Sequence, residues 1–228
     1  MSYFPTAYLR HWSKEALDIG GQVHVTRSSD GKITGLFTYD GYEQTGTIFT
    51  KSPGVFNHFF HLRNVLSVFS ELEVGKSAGS FDILTRDINH LEVERKFKHE
   101  VTIENKLREI ERFMSLTIQG LNPKWVRVAH RNGDRCFAVR IGDEIAGIAW
   151  LSLVDGIGRV TSLYVKPQYR KTGIASDLFY ARLLYLKSKN AKSYFAEIAH
   201  DNEPALKHAL KVGMSVAGKV FEYRPTSE

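Results

Sequence analysis

At 228 residues with 43% hydrophobic content, the chain can bury a sizeable core as one large domain or two small ones. Its one cysteine, Cys136, excludes an internal disulfide and a cysteine-rich zinc site, and the nine histidines show no ligand spacing, so no metal is expected. The net charge of +6 is uneven, with 14 Lys and Arg against 15 Asp and Glu in residues 1–120 and 17 against 10 in residues 121–228. No apolar run is long enough to span a bilayer and the first residues carry no export signal, which reads as a cytoplasmic protein away from membranes.

In chain order, strand-like runs at 22–27, 33–39 and 46–50 are separated by Ser29-Asp30-Gly31 and Asp40-Gly41 turns. Phe59, Leu62, Leu66 and Phe69 then recur at helical spacing, and 81–85 reads as a strand. The organisation changes near residue 90, which divides an N-terminal α+β portion, 1–88, from a second domain, 89–228. There Leu91, Val93 and Phe97 alternate as a strand, and Ile103, Leu107, Ile110 and Met114 follow a helix that Gly120 and Pro123 end. Phe137, Val139 and Ile141 lead to Gly142-Asp143, residues 145–154 lead to Asp155-Gly156, and 159–165 follows, an antiparallel meander. Cys136 belongs to this alternation and reads as a small core residue rather than a nucleophile.

The meander's last strand feeds Lys166-Pro167-Gln168-Tyr169 and then Arg170-Lys171-Thr172-Gly173-Ile174-Ala175-Ser176, where a helix opens. A phosphate approaching such a turn needs outward backbone N–H groups, no Cβ in the way and the positive end of a helix dipole beneath it. Gly173, Ile174 and Ala175 supply that geometry, while Arg170 and Lys171 add charge. No Gly-Lys-Ser/Thr ending and no Gly-x-Gly-x-x-Gly is present, so a nucleoside triphosphate loop and a dinucleotide fingerprint are set aside. The helix carries Leu178, Phe179, Leu183, Tyr185 and Leu186 as a stripe suited to lying across a sheet. A strand at 194–199, His200-Asp201-Asn202, a helix from Glu203, Gly213-Met214 and two short strands at 215–217 and 219–223 complete the set. The basic half invites a nucleic-acid reading, but no aromatic-basic ladder supports it and no nucleic acid is expected.

This ordered set, over residues 90–224, resembles the GNAT superfamily of N-acyltransferases, which pass an acyl group from acetyl-CoA or another acyl-CoA to an amine. The resemblance implies an α/β (α+β) fold, a mixed, mostly antiparallel sheet flanked by helices. It assigns the turn formed by Arg170, Lys171, Thr172, Gly173, Ile174, Ala175 and Ser176 to the CoA pyrophosphate, and the backbone of Leu163, Tyr164 and Val165 to the pantetheine arm and thioester carbonyl. Asn202 matches the polar residue that touches the cofactor from the next strand. Many members place a tyrosine seven residues after that asparagine to protonate the departing thiolate, whereas this chain has Ala209. His208 is adjacent but rotated by about 100° on the helix. Water, Tyr164 or Tyr223 must act instead, unless no acid is needed or catalysis is lost.

A carboxylate in the middle of an otherwise apolar strand makes Glu197 the candidate general base, against the plainer reading of a pair with a nearby Lys or Arg. His200 is the second candidate. Two functions stay open: an acetyl-CoA-dependent N-acetyltransferase, and an acyl-CoA-binding sensor or scaffold without turnover. The acceptor is a small-molecule or protein amine that the residues do not identify. The first 88 residues read either as a degenerate second half of the same architecture or as an unrelated extension. Their turn, Lys51-Ser52-Pro53-Gly54-Val55-Phe56, lacks Arg-x-x-Gly-x-Ala and should not hold pyrophosphate. This portion would wall the acceptor pocket or make a homodimer face.

Overall fold

The computed structural model describes residue 17 and residues 21–40, 45–60, 67–70, 73–88, 96–117 and 124–224. In chain order the elements begin with β1 (Gln22–Arg27), β2 (Ile33–Asp40), β3 (Thr45–Thr50), α1 (Pro53–Phe60), β4 (Ser67–Ser70) and β5 (Gly79–Asp87). There follow β6 (Thr102–Glu104), α2 (Leu107–Thr117), α3 (Lys124–Arg131), β7 (Arg135–Ile141), β8 (Glu144–Val154) and β9 (Ile157–Val165). A 3-10 turn (Pro167–Tyr169), α4 (Ile174–Ser188), β10 (Ser193–Ala199), α5 (Glu203–Lys211) and β11 (Ser215–Tyr223) complete the order. The chain divides into two compact units, Met1–Thr85 with Glu197–Glu228, and Arg86–Ala196.

In the second unit, 86–196, the strands run β10-β9-β8-β7-β6, antiparallel except for the parallel pair of β9 and β10. Strand β8 is buried along nearly its whole length, which is why it reads as a continuous apolar run rather than an alternation. Alternation survives on β7. Cys136 and Ala138 join Ile110, Phe113, Met114, Val126, Ala129 and Trp150 in a core beneath α2 and α3. Phe137 instead meets Tyr185 of α4, ring centroids 5.7 Å apart. Helix α4 buries Leu178, Phe179, Leu183 and Leu186 as its spacing predicts, and it also buries two charged residues, Asp177 and Arg182. It lies close because two glycines face it: a Cβ on Gly147 would stand 2.9 Å from Ile174, and one on Gly158 would stand 2.6 Å from Leu186.

Where β6 ends and α2 begins, Glu104 accepts the N–H groups of Asn105 at 3.0 Å and Lys106 at 2.9 Å, and the Arg140 guanidinium at 2.6 Å. Burial raises its pKa, but the Arg140 bonds and the Lys106 N–H outweigh burial and hold the carboxyl below the usual range. A depressed carboxyl contributes stability above its unfolded pKa and loses it as pH falls through the folded one. Glu104→Gln is therefore expected to cost about 2 kcal/mol of stability at pH 7. The gap from wild type should close as urea melts are moved into the acid range below pH 4 or so; a constant gap would show that the charge is not the cause.

In the first unit the strands run β1-β2-β3-β4-β11-β5. Strands β3 and β4 pair in parallel, and β11 is antiparallel to both β4 and β5. Phe37, Ile48, Phe56, Val68 and Tyr223 form its core. The run β1-β2-β3-α1-β4 has the same order and pairing sense as β7-β8-β9-α4-β10, two antiparallel pairs followed by a helix and a parallel strand.

Several expectations change. Residues 197–228 share a compact unit with residues 1–85, with β11 pairing β4 and β5, while the division of the sequence near residue 90 stays an expectation. Phe69 lies in β4 rather than in the helix before it, and Leu62 and Leu66 fall outside the described residues. Leu91 and Val93 also fall outside them, while Phe97 stands in a loop and Ile103 in β6. The two short terminal strands are one, β11, with a register shift between Val216 and Gly218. Among the described residues no helix is long and apolar enough to cross a membrane, and no cluster of ligating side chains could hold a metal ion.

Candidate active site

Strand β9 carries the first irregularity of the site. Ile148 pairs with Tyr164 and Trp150 with Thr161, so β9 holds one residue more than β8 across this step. Ser162 takes up the excess with a φ of 49°, which makes the step a β-bulge. The parallel ladder to β10 covers Ile157–Arg159 alone among the described residues. From Val160 onward β9 is paired through β8 and its other edge carries no ladder. Leu163, Tyr164 and Val165 lie on this stretch.

The turn that follows is braced from below. Lys166 N donates to Ala146 O at 2.9 Å, and its ammonium lies 2.5 Å from Glu144, which also accepts the Tyr169 hydroxyl at 2.9 Å. Thr172 Oγ1 donates to Tyr169 O at 2.7 Å. Lys171 and Gly173 both have positive φ, 64° and 108°. Gly173 is the N-cap of α4, and having no side chain it gives the helix no cap; the first bond back to it comes from Asp177 N at 3.0 Å. The N–H groups of Ile174, Ala175 and Ser176 therefore project from the helix end without intrahelical acceptors. A cavity of about 330 Å³ opens here, lined by Arg170, Lys171, Gly173, Ile174, Ala175 and Ser176 among others. A larger one, about 610 Å³, lies beside α2 between Phe113, Leu116, Ile141 and Lys166 and includes none of the turn from Arg170 to Ser176.

Two features of this helix start come from residues far off in sequence. Asp177, wholly buried in the first turn of α4, accepts the N–H of Lys98 at 3.2 Å and of His99 at 3.1 Å, and lies 2.8 Å from His99 Nδ1. The segment 96–100 is thereby fastened to the helix start. Lys98 lays its aliphatic chain where a side chain on Gly173 would stand, its Cδ 3.2 Å from that Cβ position. The signal in the sequence is the lone acid in an apolar helical stripe. Arg170 bends back over β9, donating from Nε to Val165 O at 3.1 Å, its guanidinium 5.6 Å from the centre of the Tyr164 ring.

The remaining candidates belong to the first unit. Glu197 is half-buried in the middle of β10. Asn202 is the N-cap of α5 and accepts Ala205 N at 3.4 Å, so it has a structural role in its own helix. His200 Nδ1 lies 2.7 Å from Asp82 Oδ2, which orients the ring. Ala209 is buried, and the Tyr223 hydroxyl accepts Val74 N at 2.7 Å within the core of that unit. Cys136, in the second unit, is buried too, and burial pushes its thiol far above the ordinary range, with the Glu104 charge adding to the effect.

Residues 101–214 match the sequence model of the Acetyltransferase (GNAT) family. No curated protein is similar enough in sequence to count as a match. Among solved structures, a GCN5-related N-acetyltransferase from Kribbella flavida superposes with a TM-score of 0.70 at 10% identity, covering 100% of this chain and 98% of that one. One from Sphaerobacter thermophilus gives 0.67 at 12% identity, covering 98% and 87%. A tandem GNAT protein from the clavulanic acid biosynthesis pathway gives 0.58 at 11% identity, covering 91% and 85%. At such identities the likeness shows the fold, and the matched half of the sequence adds the lineage. This chain belongs to the Acetyltransferase (GNAT) family.

Proposed function

We propose that the protein transfers an acetyl group from acetyl-CoA to a primary amine, on a small molecule or a protein, by direct attack of the amine on the thioester. The observation that carries this reading is the cradle at the start of α4, an uncapped helix end with a side-chain-free Gly173. A pyrophosphate fits it: the N–H groups of Ile174, Ala175 and Ser176 offer donors, and Arg170, Lys171 and Lys98 bring three cations to the rim. Acetyl-CoA supplies the acyl group already activated as a thioester. The β9 backbone at Leu163, Tyr164 and Val165 orients the arm and donates to the carbonyl. Glu197 takes the proton that the amine loses, with His200 as the alternative acceptor. Because a thiol has an ordinary pKa of about 8.5, the departing sulfur can take its proton from water, and the buried Ala209 need not be replaced by an acid.

The missing tyrosine also favours a second reading, a sensor that binds acetyl-CoA and does not turn it over. Calorimetry with acetyl-CoA, followed by thiol release against a panel of primary amines, separates the two. Binding with amine-dependent release is expected. Binding without release from any amine would favour the sensor, and no binding would remove both.

A further inference from the structure

Arg182 stands in the middle of α4 with 2% of its surface exposed. Among the described residues no carboxylate pairs with it and its Nε has no acceptor. Burial pulls its pKa down to about 9, which leaves it charged at neutral pH. A buried guanidinium without a counter-ion costs several kcal/mol against a hydrophobic side chain of the same length, and α4 is otherwise apolar on this face. The residue is thus an expensive choice for packing alone.

Its contacts say where the cation acts. Nη1 donates to Trp150 O at 2.9 Å and to Thr161 O at 3.1 Å. Trp150 and Thr161 are the pair that faces across the ladder at the point where the register slips, immediately before the left-handed Ser162. A bulge disrupts the ladder locally and can leave carbonyls short of donors. One guanidinium nitrogen bridges both, joining β8, β9 and α4 at a single atom. The same helix presents Gly173 at its start, so the bridge fixes the bulge relative to the cradle.

We propose that Arg182 is a positioning residue for acetyl transfer: by clamping the carbonyls of Trp150 and Thr161 it locks the β9 bulge, so that the backbone of Leu163 and Tyr164 is held against the thioester carbonyl. The inference rests on the acetyl-CoA reading above. A clamp of this kind acts on the carbonyl end of the ligand and leaves the phosphate end alone.

The test is isotope-edited infrared spectroscopy of acetyl-CoA labelled with ¹³C at the acetyl carbonyl, bound to wild type, Arg182→Met and Arg182→Lys. In wild type the carbonyl band should move to lower frequency than in free acetyl-CoA. In Arg182→Met it should return towards the free position while affinity for CoA is unchanged, even where the two carbonyls left without this donor lower the thermal stability. Arg182→Lys, which keeps the charge and donors, should restore part of the shift. A residue that merely held the fold would lower stability and CoA affinity together, so that pattern overturns the proposal, as does a Met variant with the wild-type band. Should the Met variant not fold, Arg182→Gln is held to the same readout. Failure of wild type to bind acetyl-CoA at all would remove the functional reading, and this inference with it.

Discussion

Replacing Gly173 with Val is expected to abolish acetyl-CoA binding. The residue sits at φ 108°, where a β-branched side chain is strained by about 1–3 kcal/mol before any ligand is considered. Its new Cβ would also press on Lys98 at 3.2 Å, displacing one of the three rim cations. Its branches would crowd the Lys98 chain that lies there, beside the N–H groups of Ile174 and Ala175 that a phosphate must reach. The cost to the fold is confined to one half-buried residue at the end of a helix, so the variant should remain folded. Calorimetric titration is the measurement, with Gly173→Ala as a graded control that should bind weakly. Wild-type affinity in the Val variant would sink the cradle assignment.

Glu197→Gln should lower turnover by about 10²- to 10⁴-fold at neutral pH, since it keeps volume and most hydrogen bonding but removes the proton acceptor. An alkyl amine with a pKa of about 10.4 is almost wholly protonated at pH 7, and freeing it costs about 4–5 kcal/mol. That sets the sign of the pH dependence. The gap between variant and wild type should shrink as pH rises, because free amine becomes abundant without help. Acetyl-CoA affinity should not move. An unchanged rate would eliminate Glu197 and turn attention to His200, whose ring Asp82 already orients.

The parts of the structure that were legible in the sequence are those written in contiguous residues. The two-residue turns at Gly142-Asp143 and Asp155-Gly156 join β7, β8 and β9 as their spacing requires, and the helix opens after Gly173 as its sequence indicates. Contacts between distant residues were not legible. Asp177 is 78 residues from His99, and nothing local in an apolar helix says that its one acid will hold a loop. Arg182 hides in the same way, because a cation on a helix normally marks the solvated face. The destination of β11 was hidden for a third reason: its alternation fits any sheet with an open edge, and its partners in β4 and β5 lie 130 residues or more earlier. Leu107, Ile110 and Met114 gave α2 correctly, but Ile103, one further step back at the same spacing, belongs to β6, where pairing with Phe137 overrides the helical period.

The position of β11 between β4 and β5 also bears on how the protein is made. A ribosome delivers residues 86–196, the unit that holds the α4 helix start, as one uninterrupted stretch. The other unit begins emerging first, yet the strand that joins its β4 to its β5 is translated after every other strand described. Until then β4 and β5 each present an unpaired row of backbone donors and acceptors, the kind of edge along which nascent chains aggregate. A stall or a cut before Ser215 therefore leaves β4 and β5 without their shared partner and removes the buried Val220 and Tyr223.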